Sequence, residues 1–284
     1  MGLETRKKTE NAEFLILIRG AGEMASGVAH KLWHCGFKSV MTEIQMPLAI
    51  RRGVAFAEAI YAGSHLVEGL EGQRVSSLEE AKDQLQLNHL PIIIDPGLEL
   101  TAPLLEQPLP ILVDARMLKA PVPQDYPRGV FVIGLGPGFR APDNVRFVVE
   151  TNRGHHLGLV IGKGSAEDNT GIPAEVRGVS IERVIYPPQE GVFVTSKKIG
   201  ESVGAGDIIG FVNRIPVKSR LTGVLRGLLH EGTPVTGRIK VADIDPRNDP
   251  ESCFLISDKA RAIAGGVLEA VLRILTGSDT REGA

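Results

Sequence analysis

Gly20-Ala21-Gly22-Glu23-Met24-Ala25 is the segment whose residue types and spacing point most directly to chemistry. It follows an apolar run, FLILI at 14–18, and precedes a helix-patterned stretch at 28–34. In that context G-x-G-x-x-G/A binds a dinucleotide. The first glycine turns the chain tightly, the second lets backbone approach a pyrophosphate, and a small third residue lets helix and sheet close up. The helix N-terminus then aims N–H donors at the anion. Gly20, Gly22, Ala25 and Gly27 are therefore expected to face a diphosphate. Glu43 stands 23 residues after Gly20 at the end of a second strand, near the offset of about 20 at which a carboxylate takes a ribose hydroxyl. The competing reading is a strand–helix turn that binds nothing.

A second glycine-rich loop, Gly134-Leu135-Gly136-Pro137-Gly138, follows a later strand. Gly136 and Gly138 are candidates to set backbone N–H groups against a further anionic or pterin-like group, although a domain-boundary turn has the same composition. Arg153-Gly154-His155-His156 is the densest polar cluster, and Arg153 with one histidine is the expected anion contact, the alternative being turn and interface hydrogen bonding. Adjacent strand histidines point to opposite faces, and no cysteine or carboxylate stands at zinc-like spacing, so no metal site is expected. Arg51 and Arg52, on a helix expected to start at Pro47, are either solvated surface or phosphate contacts. Asp95 and Asp114 end strands and either cap turns or touch ligand. No Ser-His-Asp or Cys-His arrangement can be read, and no catalytic residue is assigned. Cys253 is expected to be buried and inert, the alternative being a thiolate at the start of the last helix.

These residues need a scaffold, and the chain has the material for one. It has 284 residues, 43% of them hydrophobic, a length that favours two domains at about 150 residues each. With 32 basic and 34 acidic residues the net charge is -2, which leaves no electrostatic footprint for nucleic acid. Two cysteines make no disulfide framework and fit a reducing compartment. The polar first dozen residues and the shortness of every apolar run lead to the expectation of a soluble, cytoplasmic protein.

Strand-like runs at 14–18, 38–44, 91–95, 110–114 and 129–134 alternate with helical stretches that include 28–34 and 77–87. This pattern argues for an α/β, Rossmann-like parallel sheet covered on both faces. Glycine then marks a change of character: residues 1–128 hold 10 glycines and residues 129–237 hold 19, the density of tight turns between short strands. The expected division is a ligand-binding domain at 13–140 and a β-rich domain at 141–284. The latter would contain a small barrel at about 186–246 and a terminal helix at about 258–275. An internal repeat supports the barrel: Gly200, Val203, Gly206 and Ile208 are echoed by Gly232, Val235, Gly237 and Ile239. Gly265 and Gly266, inside the last helix, should each cost about 1 kcal/mol relative to alanine, which suggests a backbone packed closely against them.

The repeat in 191–245 resembles the biotinyl/lipoyl carrier fold and its barrel-sandwich relatives. In such carriers the modified lysine follows the first repeat glycine by sixteen positions. Here that place is Pro216, with Lys218 nearest, so no covalent biotin or lipoate is expected. A wider set of segments includes RGAGEMASGVAH (19–30), MTEIQMPLAIRR (41–52), FAEAIY (56–61), IIDPGLEL (93–100), VDARMLK (113–119) and VIGLGPGF (132–139). It continues with ETNRGHHLGLVI (150–161), NTGIPAEVRG (169–178), GVLRGLL (223–229), VADIDPR (241–247) and CFLISDKARAIAGGVLEA (253–270). On these segments the chain resembles the YqeB family of selenium-dependent molybdenum hydroxylase accessory proteins. KAPVPQDYP (119–127) departs from that pattern.

The resemblance implies a role in the maturation of molybdenum hydroxylases that carry labile selenium. The expected ligand is a nucleotide or molybdopterin-type cofactor, either a molybdopterin dinucleotide or NAD(P). The expected partners are the hydroxylase or its assembly proteins, with no nucleic acid and no membrane, and a homo-oligomer is left open. Two other readings stand beside this one. The first is an NAD(P)-dependent oxidoreductase acting in cofactor maturation. The second is a ligand-free scaffold docking on the hydroxylase.

Overall fold

Unbroken aliphatic runs suit strands buried on both faces, and they assemble as such. The computed structural model describes residues 14–278 apart from 122, 124, 125 and 174. Strands β1 (Leu15–Arg19), β2 (Lys38–Glu43), β3 (Ser64–Val67), β4 (Leu70–Val75), β5 (Leu90–Ile94), β6 (Ile111–Asp114), β7 (Phe131–Leu135), β8 (Phe147–Val149) and β9 (Val160–Ile161) form one sheet. Its order is β3-β4-β5-β2-β1-β6-β7-β8-β9. The seven inner strands run parallel, and β3 and β9 pair antiparallel at the two edges. Side chains alternate between faces: Ile16 and Ile18 join one apolar cluster, Leu15 and Leu17 the other. The five strands expected in the first half are β1, β2, β5, β6 and β7.

Helix α1 (Glu23–His34) covers the first face, joined by the short α2 (Glu58–Ala62), while α3 (Leu78–Gln86) covers the second. Ser77 caps α3 by accepting a hydrogen bond from the Glu80 N–H. No α-helix starts at Pro47. The chain there is irregular and tightens only into a 3-10 turn at Arg52–Val54, because its backbone and arginines bond to a neighbouring unit instead of to a helical ladder.

That neighbour comprises β10 (Val184–Ile185), β11 (Gly191–Val194), β12 (Ser202–Val203), β13 (Ile208–Val212), β14 (Ile215–Lys218), β15 (Gly223–Leu228), β16 (Pro234–Val235) and β17 (Ala242–Asp245). They make two four-stranded antiparallel sheets, ordered β10-β17-β15-β12 and β14-β13-β11-β16. Residues from both sheets, among them Phe193, Ile209, Leu225 and Ile244, share one apolar cluster. The sequence repeat contributes β12 to one sheet and β16 to the other, with Val203 and Val235 both buried.

The sheet unit does not end at residue 140. Strands β8 and β9 extend it, because the far edge of β7 offers unpaired N–H and C=O groups to the following chain. Helix α4 (Asp258–Thr276) also returns to it, burying Ile263, Val267, Ala270, Val271 and Ile274 in the same cluster as α1. The terminal helix thus belongs with the first unit and not with the β-rich one. Among the described residues no helix is long and apolar enough to cross a membrane.

Two helix glycines illustrate the close approach. A Cβ on Gly27 would meet the Cβ of Ala260 at 2.9 Å, and one on Gly266 would run into the carbonyl of Gly158. Gly265 differs, since it is exposed with nothing within 4 Å of a Cβ. Gly265→Ala is expected to stabilise the fold by about 1 kcal/mol and raise the melting temperature by about 2 °C. Gly266→Ala is expected to lower it. Thermal unfolding followed by circular dichroism checks both.

Candidate functional site

The glycine turn after β1 adopts the geometry that its sequence demands, but its donors are already engaged. Gly20 has φ +101° and donates its N–H to the Thr42 carbonyl at 2.8 Å. The Ala21 N–H, which would face a pyrophosphate, donates to Glu43 Oε2 at 2.8 Å, and the Ile44 N–H donates to Oε1 at 2.8 Å. Glu43 therefore acts as the turn's own anion and not as a free ribose ligand. Burial pushes its carboxyl above the ordinary range, against the pull of those two N–H bonds. Ala25 is buried in the core, and Gly27 is spoken for by Ala260. Of the four residues of this turn, only Gly22, with nothing within 4 Å of a Cβ, is open.

The second glycine loop is likewise packed within the protein. Gly136, at φ +89°, lies against Thr151 and donates to the Val149 carbonyl at 3.1 Å. Gly138 donates to the Leu118 carbonyl at 3.0 Å and has no room for a side chain against Leu118. Asp95 caps its own turn through Glu99 and Thr101, and Asp114 is held by Arg116 and Tyr126. His156 pairs with Glu167 at 3.0 Å on the surface. Cys253 is buried, and burial pushes its thiol up, away from thiolate reactivity.

Arg51 and Arg52 are neither solvated nor on a helix. Arg51 is 5% exposed. Its guanidinium donates to the carbonyls of Arg226, Cys253 and Leu255 at 3.2–3.4 Å, with Glu23 3.6 Å away. Arg52 donates to the Leu228 carbonyl at 2.7 Å and pairs with Glu58 at 2.8 Å. The Leu228 N–H donates to the Ile50 carbonyl at 2.7 Å. Residues 50–52 thereby stitch the sheet unit to β15 and to the segment leading into α4.

That seam walls a cleft of about 900 Å³. It opens between the first turns of α1 and α4, strands β15 and β17, and residues 169–173 and 175–176. Eight arginine and lysine side chains line it against four carboxylates, an excess of four positive charges in a chain whose net charge is -2. Much of this charge is held in place by carboxylates. Arg183 pairs with the buried Asp243 at 2.9 Å, Arg226 reaches Asp243 and Asp245 at 3.8 Å, and Arg247 bonds Asp245. At the rim, Arg153 makes a bidentate pair with Asp258 at 2.6 and 2.9 Å, which holds that carboxyl down to about 2. Tyr186, Ile172 and Leu255 add an aromatic and aliphatic wall. A concave site with this division suits a planar heterocycle carrying phosphate. Of the expected ligand contacts, Arg153 lies here, beside Glu23 from the glycine turn, and Arg51, read as surface or a phosphate contact, lines it from the seam. The others in the cleft come from segments far apart in sequence, where no local motif marks them.

Comparison with known proteins gives one strong relative. The chain is 41% identical over 274 residues to the uncharacterized protein YqeB of Escherichia coli (strain K12), covering 96% of this chain and 50% of that protein. The similarity supports membership of the YqeB family, and the chain spans about half the length of this relative. No protein-family model matches. Among solved structures, the product-bound ectoine utilization protein EutE (DoeB) from Ruegeria pomeroyi is 12% identical with a TM-score of 0.24. It covers 82% of this chain and 85% of its own. A succinylglutamate desuccinylase/aspartoacylase from Rhodobacter sphaeroides is 13% identical with a TM-score of 0.23, covering 82% and 86%.

Two expectations follow from the seam and the charge network. Arg51→Met leaves three carbonyls without their donor and should cost about 3 kcal/mol. Arg51→Lys should recover less than half of that loss, since an ammonium lacks the planar fork; urea denaturation reads both. For Asp245, burial raises the carboxyl, but the hydrogen bonds and charge of Arg247 outweigh it and hold it at about 2, below the ordinary 3.8. A depressed folded-state value means that its stabilisation is present above pH 4 and is lost as the pH falls toward 2. Asp245→Asn should therefore flatten the acid limb of the stability profile in that window, measured as denaturation midpoints against pH.

Proposed function

We propose, taking membership of the YqeB family as the premise, that this protein is an accessory factor in the maturation of selenium-dependent molybdenum hydroxylases. In this reading it holds a nucleotide or molybdopterin-type cofactor in the cationic cleft. The observation that carries it is the excess of four positive charges beside an apolar wall that includes Tyr186. Guanidinium and ammonium groups recognise phosphate, and the aromatic face takes a pterin or purine ring. The cleft residues bind, orient and partly desolvate the ligand. No nucleophile or acid–base pair aimed at a reacting atom is assigned, so the role is holding and delivery, with the hydroxylase or its assembly proteins as recipients.

The two antiparallel sheets of 184–245, read as a barrel-sandwich relative, supply one side of the cleft, including Tyr186, Arg226 and Lys240, and a surface for those recipients. With Pro216 at the place of the carrier lysine, the ligand is held without a covalent biotin- or lipoate-type link. The oxidoreductase reading loses support at the glycine turn, where Glu43 takes the N–H that a dinucleotide would need. The working compartment in this reading is the cytoplasm.

Native mass spectrometry of anaerobically purified protein offered molybdopterin dinucleotide, NAD and NADP together tests the reading. Preferential uptake of the pterin dinucleotide is expected. Tyr186→Ala should weaken it by about tenfold through lost stacking, while Gly22→Ala, outside the cleft, should leave it within twofold. Uptake of NAD or NADP alone would favour the oxidoreductase, and no uptake would favour the scaffold.

A further inference from the structure

Most cations of the cleft have carboxylate partners, but three do not. Lys119 follows β6, Lys240 precedes β17, and Lys259 sits in the first turn of α4. All three line the same cleft. No hydrogen bond or ion pair joins any of them to a carboxylate among the described residues, although Asp243, Asp258, Glu23 and Glu175 share the same walls. Each of those acids except Glu175 is turned to an arginine: Asp243 to Arg183 and Arg226, Asp258 to Arg153, Glu23 to Arg51.

A cluster of like charges assembled from three distant segments is costly to fold. Lys240 and Lys259 are half-buried. Burial lowers both ammonium groups below the ordinary lysine range, and neighbouring cations lower them further, Lys119 acting on Lys240, and Arg153 and Lys240 on Lys259. None of the three lysines belongs to the apolar clusters. Lys259 also stands in the first turn of a 19-residue helix, whose dipole favours an anion although Ser257 already caps the Ala260 N–H. A multiply charged anion among the three ammonium groups would remove their mutual repulsion and replace the water lost on burial.

We propose that Lys119, Lys240 and Lys259 form the seat for a diphosphate group, and that this seat, not the glycine turn after β1, binds the phosphates of the ligand. The proposal rests on the cofactor-holding reading for the identity of the whole ligand, but the seat itself is defined by these three side chains. A single phosphate engages fewer of the ammonium groups at once, so the seat selects diphosphate-bearing ligands over monophosphates. Burial and neighbouring cations lower the Lys240 and Lys259 ammonium groups, so at alkaline pH, where they begin to lose their protons, seating the anion draws protons back onto them. Binding is therefore accompanied by proton uptake and weakens as the pH rises through the lowered lysine range. The groups facing the seat that also bear on this pH dependence are Arg153, Arg183, Glu23, Glu150 and Asp243. Loss of that proton uptake in Lys240→Gln and Lys259→Gln is what assigns it to the lysines.

Calorimetric titration with inorganic pyrophosphate and with inorganic phosphate, at fixed ionic strength, tests the seat. Pyrophosphate should bind at least tenfold more tightly than phosphate. Each of Lys119→Gln, Lys240→Gln and Lys259→Gln should weaken pyrophosphate by about tenfold. Repeating the titration in buffers of different ionisation enthalpy should show proton uptake in the parent protein that falls in Lys240→Gln and Lys259→Gln. Equal affinity for the two anions, or an unchanged pyrophosphate affinity in a triple variant with a native circular dichroism spectrum, overturns the proposal. The same variants titrated with the dinucleotide ligands separate the two claims. A dinucleotide bound equally by parent and triple variant removes the seat and keeps the cofactor reading. Lysine-dependent pyrophosphate binding with no dinucleotide bound keeps the seat and removes that reading.

Discussion

The Arg51 guanidinium is buried at the one place where three separate parts of the chain meet: the irregular segment after β2, strand β15, and the turn that leads into α4. Carrying a charge into that position costs several kcal/mol in lost hydration. The cost is offset because its flat fork reaches the carbonyls of Arg226, Cys253 and Leu255 and lies near Glu23. An aliphatic side chain of similar size would fill the volume and leave those carbonyls unbonded. The orientation of the β-rich unit against the sheet, and hence the width of the cleft between them, follows from this seam.

Charge in the cleft is arranged in two layers. The deeper layer is an alternation of arginines and aspartates, in which Asp243 and Asp245 set the directions of Arg183, Arg226 and Arg247. Paired in this way, the guanidiniums are fixed and largely neutralised. Beside it stand Lys119, Lys240 and Lys259, with no carboxylate partner among the described residues. A balanced floor with unpaired charge next to it is a physical arrangement suited to an anion. The overall charge of the chain gives no sign of it, because acidic residues elsewhere outnumber the local excess.

Glycine serves two physical ends in this molecule. At Gly20 the left-handed backbone is needed for the tight exit from β1, whatever that turn binds. At Gly27 and Gly266 the absence of a side chain lets α1 and α4 approach each other and the 158 loop. The second use is what draws the C-terminal helix back into the first unit and puts its N-terminus at the mouth of the cleft. A dinucleotide fingerprint in sequence and a helix-packing stripe share residues here, and Glu43 filling the anion position decides in favour of packing at this turn.

The local pattern of the chain determined much by itself. The apolar runs specify β1, β2, β5, β6 and β7, since a strand buried on both faces has no polar alternative. The glycine repeat specifies paired short strands in 200–239. Arg153 stands out in the sequence as part of a polar loop between strands, and it lies at the rim of the cleft, paired with Asp258. What only the tertiary structure decided depends on residues far apart in the chain. Arg51 and Arg52 read as surface because their partners, carbonyls about 175 to 204 positions away, leave no mark on a sequence pattern. Arg183, Arg226, Lys240 and Lys259 sit in segments whose local pattern concerns strand and helix formation. Their convergence on one cleft is set by α4 docking on α1 and by the Arg51 seam. Secondary structure is dictated by neighbours a few residues away, whereas this site is made by electrostatics across an interface, and that interface exists only after the chain has packed.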